Sequence, residues 1–125
     1  MSENGKGVLL VDDEPIVLKS AKRLLERKKF TVFVANNGFT AVSVFKENHS
    51  RIGAILLDLS MPDMDGEETL EKLLEVDNNA KVILFSGYAR NEDLEPLFEK
   101  GAIDHIQKPF ELPRLIEALK RALVA

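Results

Sequence analysis

The sequence contains no cysteine and no long apolar run, and its charge is only weakly one-sided. The absence of cysteine excludes both a disulfide framework and a thiolate metal site. No apolar run approaches the ~20 residues that a membrane span needs. The segment 1–7 is polar and lacks the apolar region of a signal peptide. We therefore expect a soluble, cytoplasmic protein that makes no membrane contact.

The net charge of −4, from 21 acidic and 17 basic residues, gives no general attraction to nucleic acid. We therefore expect no direct binding to it. Six basic residues nevertheless lie close together in one segment: Lys19, Lys22, Arg23, Arg27, Lys28 and Lys29. A solvated helix face explains such a cluster, and a surface that steers an acidic protein partner is the other interpretation.

The length of 125 residues suits one compact domain, which we place at 1–125 with a flexible N-terminus at 1–6. Short apolar runs alternate regularly with longer amphipathic stretches along the chain. The runs predict strands at 8–11, 30–35, 55–57, 82–85 and 103–106. Apolar residues at helical spacing predict helices in the intervening segments and at 112–123. This (βα)5 alternation indicates an α/β fold, with a five-stranded parallel sheet covered by helices on both faces.

The fourth helix is the one with a conflicting signal. Leu94, Leu97 and Phe98 have helical spacing, but Pro96 lies among them. A proline inside a helix costs about 3 kcal/mol, whereas the first helical turn tolerates it. We therefore expect a helix that is shortened, kinked or begun late, near Glu95.

Polar residues follow the apolar runs at the points where parallel strands bring their carboxyl ends together. Asp12 and Asp13 follow the first strand, Asp58 the third, Ser86 the fourth and Lys108 the fifth. In such a sheet, ligands bind at this edge, where the strand order reverses. Helix caps, turns and an ordinary surface lysine would explain each residue taken singly.

Together, however, these carboxylates would repel one another. Two unit charges ~4 Å apart interact by about 4 kcal/mol at an effective dielectric constant of 20. Lys108 offsets only one negative charge, and a divalent cation can offset the rest. Because the donors are oxygen atoms and no histidine or cysteine is near in sequence, the site favours Mg²⁺ before Ca²⁺. A carboxylate nucleophile beside a metal, a lysine and a hydroxyl is suited to phosphoryl transfer.

Four segments closely resemble the signature segments of the CheY-like receiver domains of two-component response regulators. They are Val-Asp-Asp-Glu-Pro at 11–15, Leu-Leu-Asp-Leu-Ser-Met-Pro-Asp-Met-Asp-Gly at 56–66, Phe-Ser-Gly-Tyr at 85–88 and Lys-Pro-Phe at 108–110. The resemblance covers almost the whole chain and implies the flavodoxin-like strand order 2-1-3-4-5. It implies a phosphorylation switch that catalyses its own phosphorylation and slow dephosphorylation, and not a turnover enzyme.

The resemblance also implies a role for each matching residue. Asp58 would accept a phosphoryl group from a sensor histidine kinase or a histidine phosphotransfer protein. Mg²⁺ would be held by Asp13 directly, by Asp12 through water, by Asp58 and by the backbone carbonyl of Ser60. Lys108 would pair with the phosphoryl group, and the hydroxyl of Ser86 would move toward it. Tyr88 and Ser60 would tune the lifetime of the phosphoryl group, and the peptide bond between residues 108 and 109 would be cis.

The chain departs from the family pattern at His105, where Tyr or Phe is usual. The family residue rotates inward when the Ser or Thr moves, and imidazole is smaller and titrates near neutrality. Two interpretations stay open: a partly exposed surface histidine, or a switch residue with some pH sensitivity. The other histidine, His49, lies near a predicted helix end, and we expect it to be structural or solvated.

The resemblance places partner binding on two surfaces. The first helix, with its basic cluster, is where family members meet phosphodonors. The output face comprises the fourth helix, the fifth strand and the fifth helix, and acidic residues crowd the fourth helix: Glu92, Asp93, Glu95 and Glu99. That acidity disfavours DNA and favours a downstream protein or output domain, or a second copy in a phosphorylation-dependent homodimer.

Three other functions compete with this one. A flavodoxin-like cofactor-binding protein would need a Gly/Ser/Thr-rich loop after the first strand, where this chain has acidic residues. An aspartyl-phosphate phosphatase would usually need a cap insertion and a second acid soon after Asp58. A degenerate receiver used only for docking is disfavoured because all the reactive positions are present.

Overall fold

A computed structural model describes residues 7–59, 61, 65–87, 91–108 and 111–124, except for the side chains of residues 91–93 and 124. The strands are β1 (Gly7–Val11), β2 (Val32–Ala35), β3 (Ile52–Asp58), β4 (Val82–Ser86) and β5 (Asp104–Gln107). The helices are α1 (Pro15–Arg27), α2 (Gly38–Asn48), α3 (Gly66–Val76), α4 (Asn91–Lys100) and α5 (Leu112–Val124). A short 3₁₀ turn, His49–Arg51, joins α2 to β3. None of the helices in these ranges is both long and apolar enough to cross a membrane.

The five strands form one parallel sheet in the order β2-β1-β3-β4-β5. The sequence pattern predicted the parallel sheet and the resemblance predicted the strand order, and both are confirmed. The predicted strands at 30–35, 55–57 and 103–106 differ from the observed strands only at their ends. After β1 the chain adds β2 on one side of β1, and it then crosses back to add β3, β4 and β5 in turn on the other side. The strand order therefore reverses between β1 and β3, and the carboxyl ends of these two strands are the predicted ligand position. This carboxyl edge of the sheet is called the rim below.

Alternate residues of each central strand face two separate cores. Val8 and Leu10 of β1 point toward α1 and α5, where Leu25 and Leu119 are fully buried. Leu9 and Val11 point toward α2, α3 and α4, with Phe45, Leu70, Leu73 and Leu97 among their buried partners. Each such leucine or phenylalanine contributes about 1.5–3 kcal/mol by leaving water. The continuous apolar runs are therefore explained by a sheet that is covered on both faces.

Local hydrogen bonds fix where the helices begin near the rim. The side chain of Asn37 accepts a hydrogen bond from the Thr40 N–H at 2.8 Å, and it caps α2. Asp65 accepts from the Glu67 N–H at 3.1 Å, and it caps α3. These caps satisfy N–H groups that have no partner inside the helix. The helix starts are thereby held at the same edge as the strand ends.

The predictions that α4 is shortened or begins late, near Glu95, are wrong, because the helix runs without interruption from Asn91 to Lys100 with Pro96 inside it. The kink stays a prediction. A proline at this position removes one intrahelical hydrogen bond, the one to the carbonyl of residue 92. Leu94 and Leu97 are buried on either side of Pro96, which is itself exposed. Packing of those two leucines outweighs the cost of the proline. The predicted flexible segment at 1–6 lies outside the described residues.

Candidate functional site

Three carboxylates meet at the centre of the rim. Asp12 and Asp13 follow β1, Asp58 is the last residue of β3, and one oxygen from each lies within 4.8 Å of the others. The pairing of Val11 with Leu57 places the ends of β1 and β3 side by side. The Asp12 N–H continues the sheet by donating to the Ala35 carbonyl at 3.1 Å. Asp12 and Asp58 are only 2% and 1% exposed, so the fold itself holds these acids together.

The ammonium group of Lys108 is the cation of the site. Its Nζ lies 2.9 Å from Asp12 Oδ2, 3.3 Å from Asp58 Oδ1 and 3.7 Å from Glu14 Oε1. The backbone N–H of Lys108 donates to the Ser86 carbonyl at 2.7 Å, which anchors the residue just beyond β5. Burial lowers the pKa of Lys108, but hydrogen bonding and charge attraction from Asp12 and Asp58 outweigh it, so the pKa lies above its ordinary value. Lys108 therefore stays charged at neutral pH.

The donor set at the rim fits a hard divalent cation. The three carboxylates outnumber the ammonium group of Lys108 by two, and two of the three are almost wholly buried. Carboxylate oxygens are the ligands that Mg²⁺ prefers, and a small number of them leaves coordination positions for water and for a phosphoryl oxygen. The predicted convergence of Asp12, Asp13, Asp58 and Lys108 is confirmed by this geometry. The predicted carbonyl ligand of Ser60 lies outside the described residues, as do Tyr88 and the peptide bond between residues 108 and 109.

Ser86 and His105 form a hydrogen-bonded pair beside this cluster. Ser86 ends β4 and is 3% exposed, and its Oγ lies 2.9 Å from Nε2 of His105 on β5. The ring is therefore directed to the serine hydroxyl and is not a simple surface group. Burial lowers the pKa of His105 below its ordinary value, although the carboxylate of Asp104 opposes this effect and Arg114 adds to it. The ring is thus mainly neutral at pH 7 in this arrangement.

Two residues that the sequence analysis did not single out hold the backbone of His105. Asp104 Oδ1 accepts the His105 N–H at 2.8 Å, and Arg114 on α5 donates to Asp104 Oδ1 at 3.0 Å and to the His105 carbonyl at 3.1 Å. Arg114 and Asp104 therefore brace the strand from both sides of the histidine. No local sequence pattern marks this contact, because it joins a strand residue to the first turn of the next helix.

The other histidine, His49, takes no part in the contacts described for the carboxylates. His49 is exposed, with its ring edge-on to Phe45 at 6.3 Å, as expected for a solvated or structural residue.

Two surfaces of the helices expose apolar side chains. On α1, the exposed Ile16 lies in a shallow groove of about 420 Å³ whose other lining residues are Lys19, Ser20, Arg23 and Leu24. Near α4, Phe98 and Ile103 are 40% and 45% exposed. The side chains of Glu92 and Asp93 lie outside the described part.

Comparison with known proteins agrees with this geometry. Residues 8–120 match the model of the response regulator receiver domain. The chain is 36% identical to the chemotaxis protein CheY of Listeria monocytogenes over 116 residues, which cover 92% of this chain and 96% of that protein. It is also 34% identical to the regulatory protein AtoC of Escherichia coli. That match covers 93% of this chain but only 25% of the length of AtoC.

A solved structure gives the same result. In the CheX–CheY–BeF₃–Mg²⁺ complex from Borrelia burgdorferi, one chain superposes with a TM-score of 0.89 at 29% identity, covering 96% of this chain and 90% of that one. The match of the family model extends over almost all of β1 to α5. The chain belongs to the response regulator receiver domain family of two-component signalling.

Proposed function

We propose that Asp58 accepts a phosphoryl group from the phosphohistidine of a sensor histidine kinase or a histidine phosphotransfer protein. The observation that carries this proposal is the position of the Asp58 carboxylate. It is buried at the end of β3, 3.3 Å from the Lys108 ammonium and within 4.8 Å of oxygens of Asp12 and Asp13. Such a carboxylate can act as the nucleophile, and Lys108, with a divalent cation held by the neighbouring acids, would stabilise the negative charge of the phosphoryl group.

The transfer exchanges one bond to phosphorus for another. A carboxylate oxygen of Asp58 forms a bond to phosphorus while the P–N bond of the phosphohistidine breaks. The histidine leaves with the bonding electron pair and takes up a proton. Lys108, which already reaches toward Asp58, would pair with a phosphoryl oxygen, and Ser86 would donate its hydroxyl proton to another.

Asp12, Asp13 and Asp58 would hold Mg²⁺, together with the backbone carbonyl of Ser60. The ion would offset the repulsion among the three acids and stabilise negative charge on the phosphoryl oxygens. Hydrogen bonds keep the acids oriented: Asp12 Oδ1, for example, accepts the Glu14 N–H at 2.9 Å. Because the phosphoryl group stays on the chain until it is hydrolysed, the protein acts as a switch and not as a turnover enzyme.

The phosphodonor would dock on α1. The groove around Ile16 combines an apolar residue that is 79% exposed with Lys19 and Arg23, and it lies on the helix that begins beside Asp13. A basic rim around an exposed apolar side chain suits an acidic partner. Raising the salt concentration should therefore slow transfer from a protein donor much more than transfer from acetyl phosphate.

The signal would leave through the face formed by α4, β5 and α5. Phe98 and Ile103 expose apolar surface there, beside the acidic residues Glu95 and Glu99. Such a surface suits a downstream protein or output domain, or a second copy in a phosphorylation-dependent homodimer, and it disfavours nucleic acid. We propose that Ser86 and His105, which are hydrogen-bonded to each other, are the switch residues and would connect this face to a phosphoryl group on Asp58. A cytoplasmic location agrees with this role.

The direct test is intact mass spectrometry after incubation with acetyl phosphate, with and without Mg²⁺. We expect wild type to gain one phosphoryl group only when Mg²⁺ is present. Asp58→Asn should gain none, whereas Asp77→Asn, at the far end of α3, should behave as wild type. A modification that persists in Asp58→Asn, or continued turnover of a phosphomonoester, would contradict the proposal.

A further inference from the structure

The hydrogen bond between Ser86 and His105 depends on a single hydroxyl proton, which a phosphoryl group on Asp58 would also need. Ser86 Oγ lies 2.9 Å from His105 Nε2, and a hydroxyl has one proton to donate. If Ser86 donates that proton to a phosphoryl oxygen on Asp58, as the proposed function requires, it can no longer donate to Nε2. A neutral ring that carries its proton on Nδ1 would then be left with a half-buried acceptor and no donor, which is unfavourable. Two changes restore the hydrogen bond: the ring moves its proton to Nε2, or it binds a second proton, and a nearby phosphoryl anion favours the second.

We propose that phosphorylation of Asp58 and protonation of His105 are thermodynamically coupled through the hydroxyl of Ser86. In the resting protein the neutral ring accepts the Ser86 proton at Nε2. In the phosphorylated protein the ring binds a proton, its Nε2–H donates to Ser86 Oγ, and Ser86 donates to the phosphoryl oxygen. This inference rests on the proposed function and adds a proton to the switch.

The surroundings of the ring favour a neutral resting state that an added anion can change. Burial is the largest influence on the His105 ring, and it disfavours the imidazolium form. Two charged groups among the described residues act on the ring: Asp104 on β5 favours its protonation, and Arg114 on α5 opposes it. The element on the other side, β4, presents the uncharged Ser86. A phosphoryl group one hydroxyl away would favour the charged ring through a continuous, charge-assisted chain of donors.

The backbone of His105 is held firmly enough for the change to be confined to its side chain. Its N–H and carbonyl are bound by Asp104 and Arg114 respectively, at 2.8 and 3.1 Å. Because the strand is braced on both sides, a change in the ring's hydrogen bond alters where the ring lies and leaves β5 in place. His105 therefore acts on the reacting group only through Ser86, as a positioning residue.

The coupling is reciprocal. If phosphorylation strengthens proton binding at His105, then lowering the pH must strengthen the state in which Ser86 bonds to the phosphoryl group by the same factor. A tenfold gain in proton affinity corresponds to a tenfold gain in the affinity for a phosphoryl mimic across the titration range. The Tyr or Phe that is usual in the family has no group that titrates near neutral pH. The coupling therefore depends on His105, the position at which this chain departs from the family pattern.

The test is an NMR titration of the two histidine rings, with Mg²⁺ alone and with Mg²⁺ plus beryllofluoride as the phosphoryl mimic. The chain has only two histidines, so the exposed His49 is an internal reference. Because Mg²⁺ is present in both samples, any difference between the two histidine titrations is due to beryllofluoride and not to the metal. We expect beryllofluoride to raise the proton affinity of His105 about tenfold and to leave His49 unchanged.

Two variants show whether the effect passes through the hydroxyl. In Ser86→Ala the rise at His105 should be lost. In His105→Phe the affinity for beryllofluoride should lose the part of its pH dependence that lies between about pH 5.5 and 7.5, whereas His49→Gln should keep it. A pKa of His105 that is unchanged or lowered by beryllofluoride, or a rise that persists in Ser86→Ala, would overturn the inference. If wild type is still phosphorylated by acetyl phosphate in the mass experiment, the proposed function survives that result.

Discussion

The two halves of the rim are held together by different forces. The acidic half, Asp12, Asp13 and Asp58, lies at the carboxyl ends of the central strands β1 and β3, and charge interactions of Asp12 and Asp58 with Lys108 dominate it. In the β4–β5 half, the side chains of Ser86 and His105 are joined by one hydrogen bond between uncharged groups. Asp58 belongs to a strand with neighbours on both sides, whereas β5 pairs with β4 at the end of the sheet order.

This difference indicates which half is suited to chemistry and which to movement. Buried charges on central strands are fixed in place, because moving any one of them changes several strong interactions at once. A hydrogen bond between neutral groups contributes only about 0.5–1.5 kcal/mol, so a new acceptor can displace it. Lys108 lies between the halves: its side chain reaches Asp58, and its backbone N–H binds the carbonyl of Ser86.

The largest expected effect comes from removing the cation of the acidic half. In Lys108→Met, we expect the rate of phosphorylation by acetyl phosphate to fall on the order of 100-fold, because one stabilising group for the phosphoryl oxygens is lost. Lys100→Met is a matched control, since Lys100 also pairs with two carboxylates, Glu71 at 2.6 Å and Glu67 at 3.4 Å, neither of which belongs to the acidic half. Rates are measured by intact mass over time. Equal rates in the two variants would show that Lys108 has no special role.

Removing an acid should affect stability and metal binding in opposite directions. Without metal, Asp13→Asn should raise the free energy of unfolding by about 1 kcal/mol, because it relieves repulsion at a partly solvated position. It should also abolish most of the stabilisation that Mg²⁺ gives to wild type, which urea titrations with and without Mg²⁺ would measure. Glu117→Gln, at an exposed ion pair on α5, should change neither quantity appreciably. A lower metal-free stability in Asp13→Asn would contradict the picture of repelling acids.

The acidic half of the rim was predictable from the sequence, and the β4–β5 half was predictable only in part. The ends of the apolar runs place Asp12, Asp58 and Lys108 at one edge, because parallel strands must point the same way. Local pattern and topology are enough for that prediction. The strand order came from the resemblance, and so did the expectation that the residue at position 105 takes part in the switch.

What could not be predicted depends on particular tertiary contacts. Whether His105 is a partly exposed surface histidine or a switch residue was left open, since a strand of four residues at the end of the sheet has only a weak burial pattern. The brace formed by Asp104 and Arg114 depends on the angle at which α5 leaves the sheet. The start of α4 was predicted wrongly because the penalty for Pro96 was weighed without the burial of Leu94 and Leu97.

A smaller effect is expected from the pH dependence of the β4–β5 half in the resting protein. Burial lowers the pKa of His105 in the folded state, while the unfolded ring keeps its ordinary value of 6.5. The contribution to stability is therefore present above pH 6.5 and is lost as the pH falls through the lowered pKa. The free energy of unfolding of wild type should fall between about pH 7 and 5 more steeply than that of His105→Phe. His49→Gln should follow wild type, and parallel curves for wild type and His105→Phe would exclude this source of pH dependence.

The smallest expected effect tests the brace behind the histidine. Arg114→Lys keeps the positive charge but loses the planar group that binds Asp104 and the His105 carbonyl together, so we expect a loss of about 0.5 kcal/mol in urea unfolding. The stability change alone would not identify the brace, because a surface substitution has effects of similar size. Hydrogen exchange of the His105 N–H is more specific: it should accelerate in Arg114→Lys but not in Arg121→Lys, whose arginine pairs with Glu117 on an exposed face. Equal exchange in both variants would mean that β5 holds His105 without help from α5.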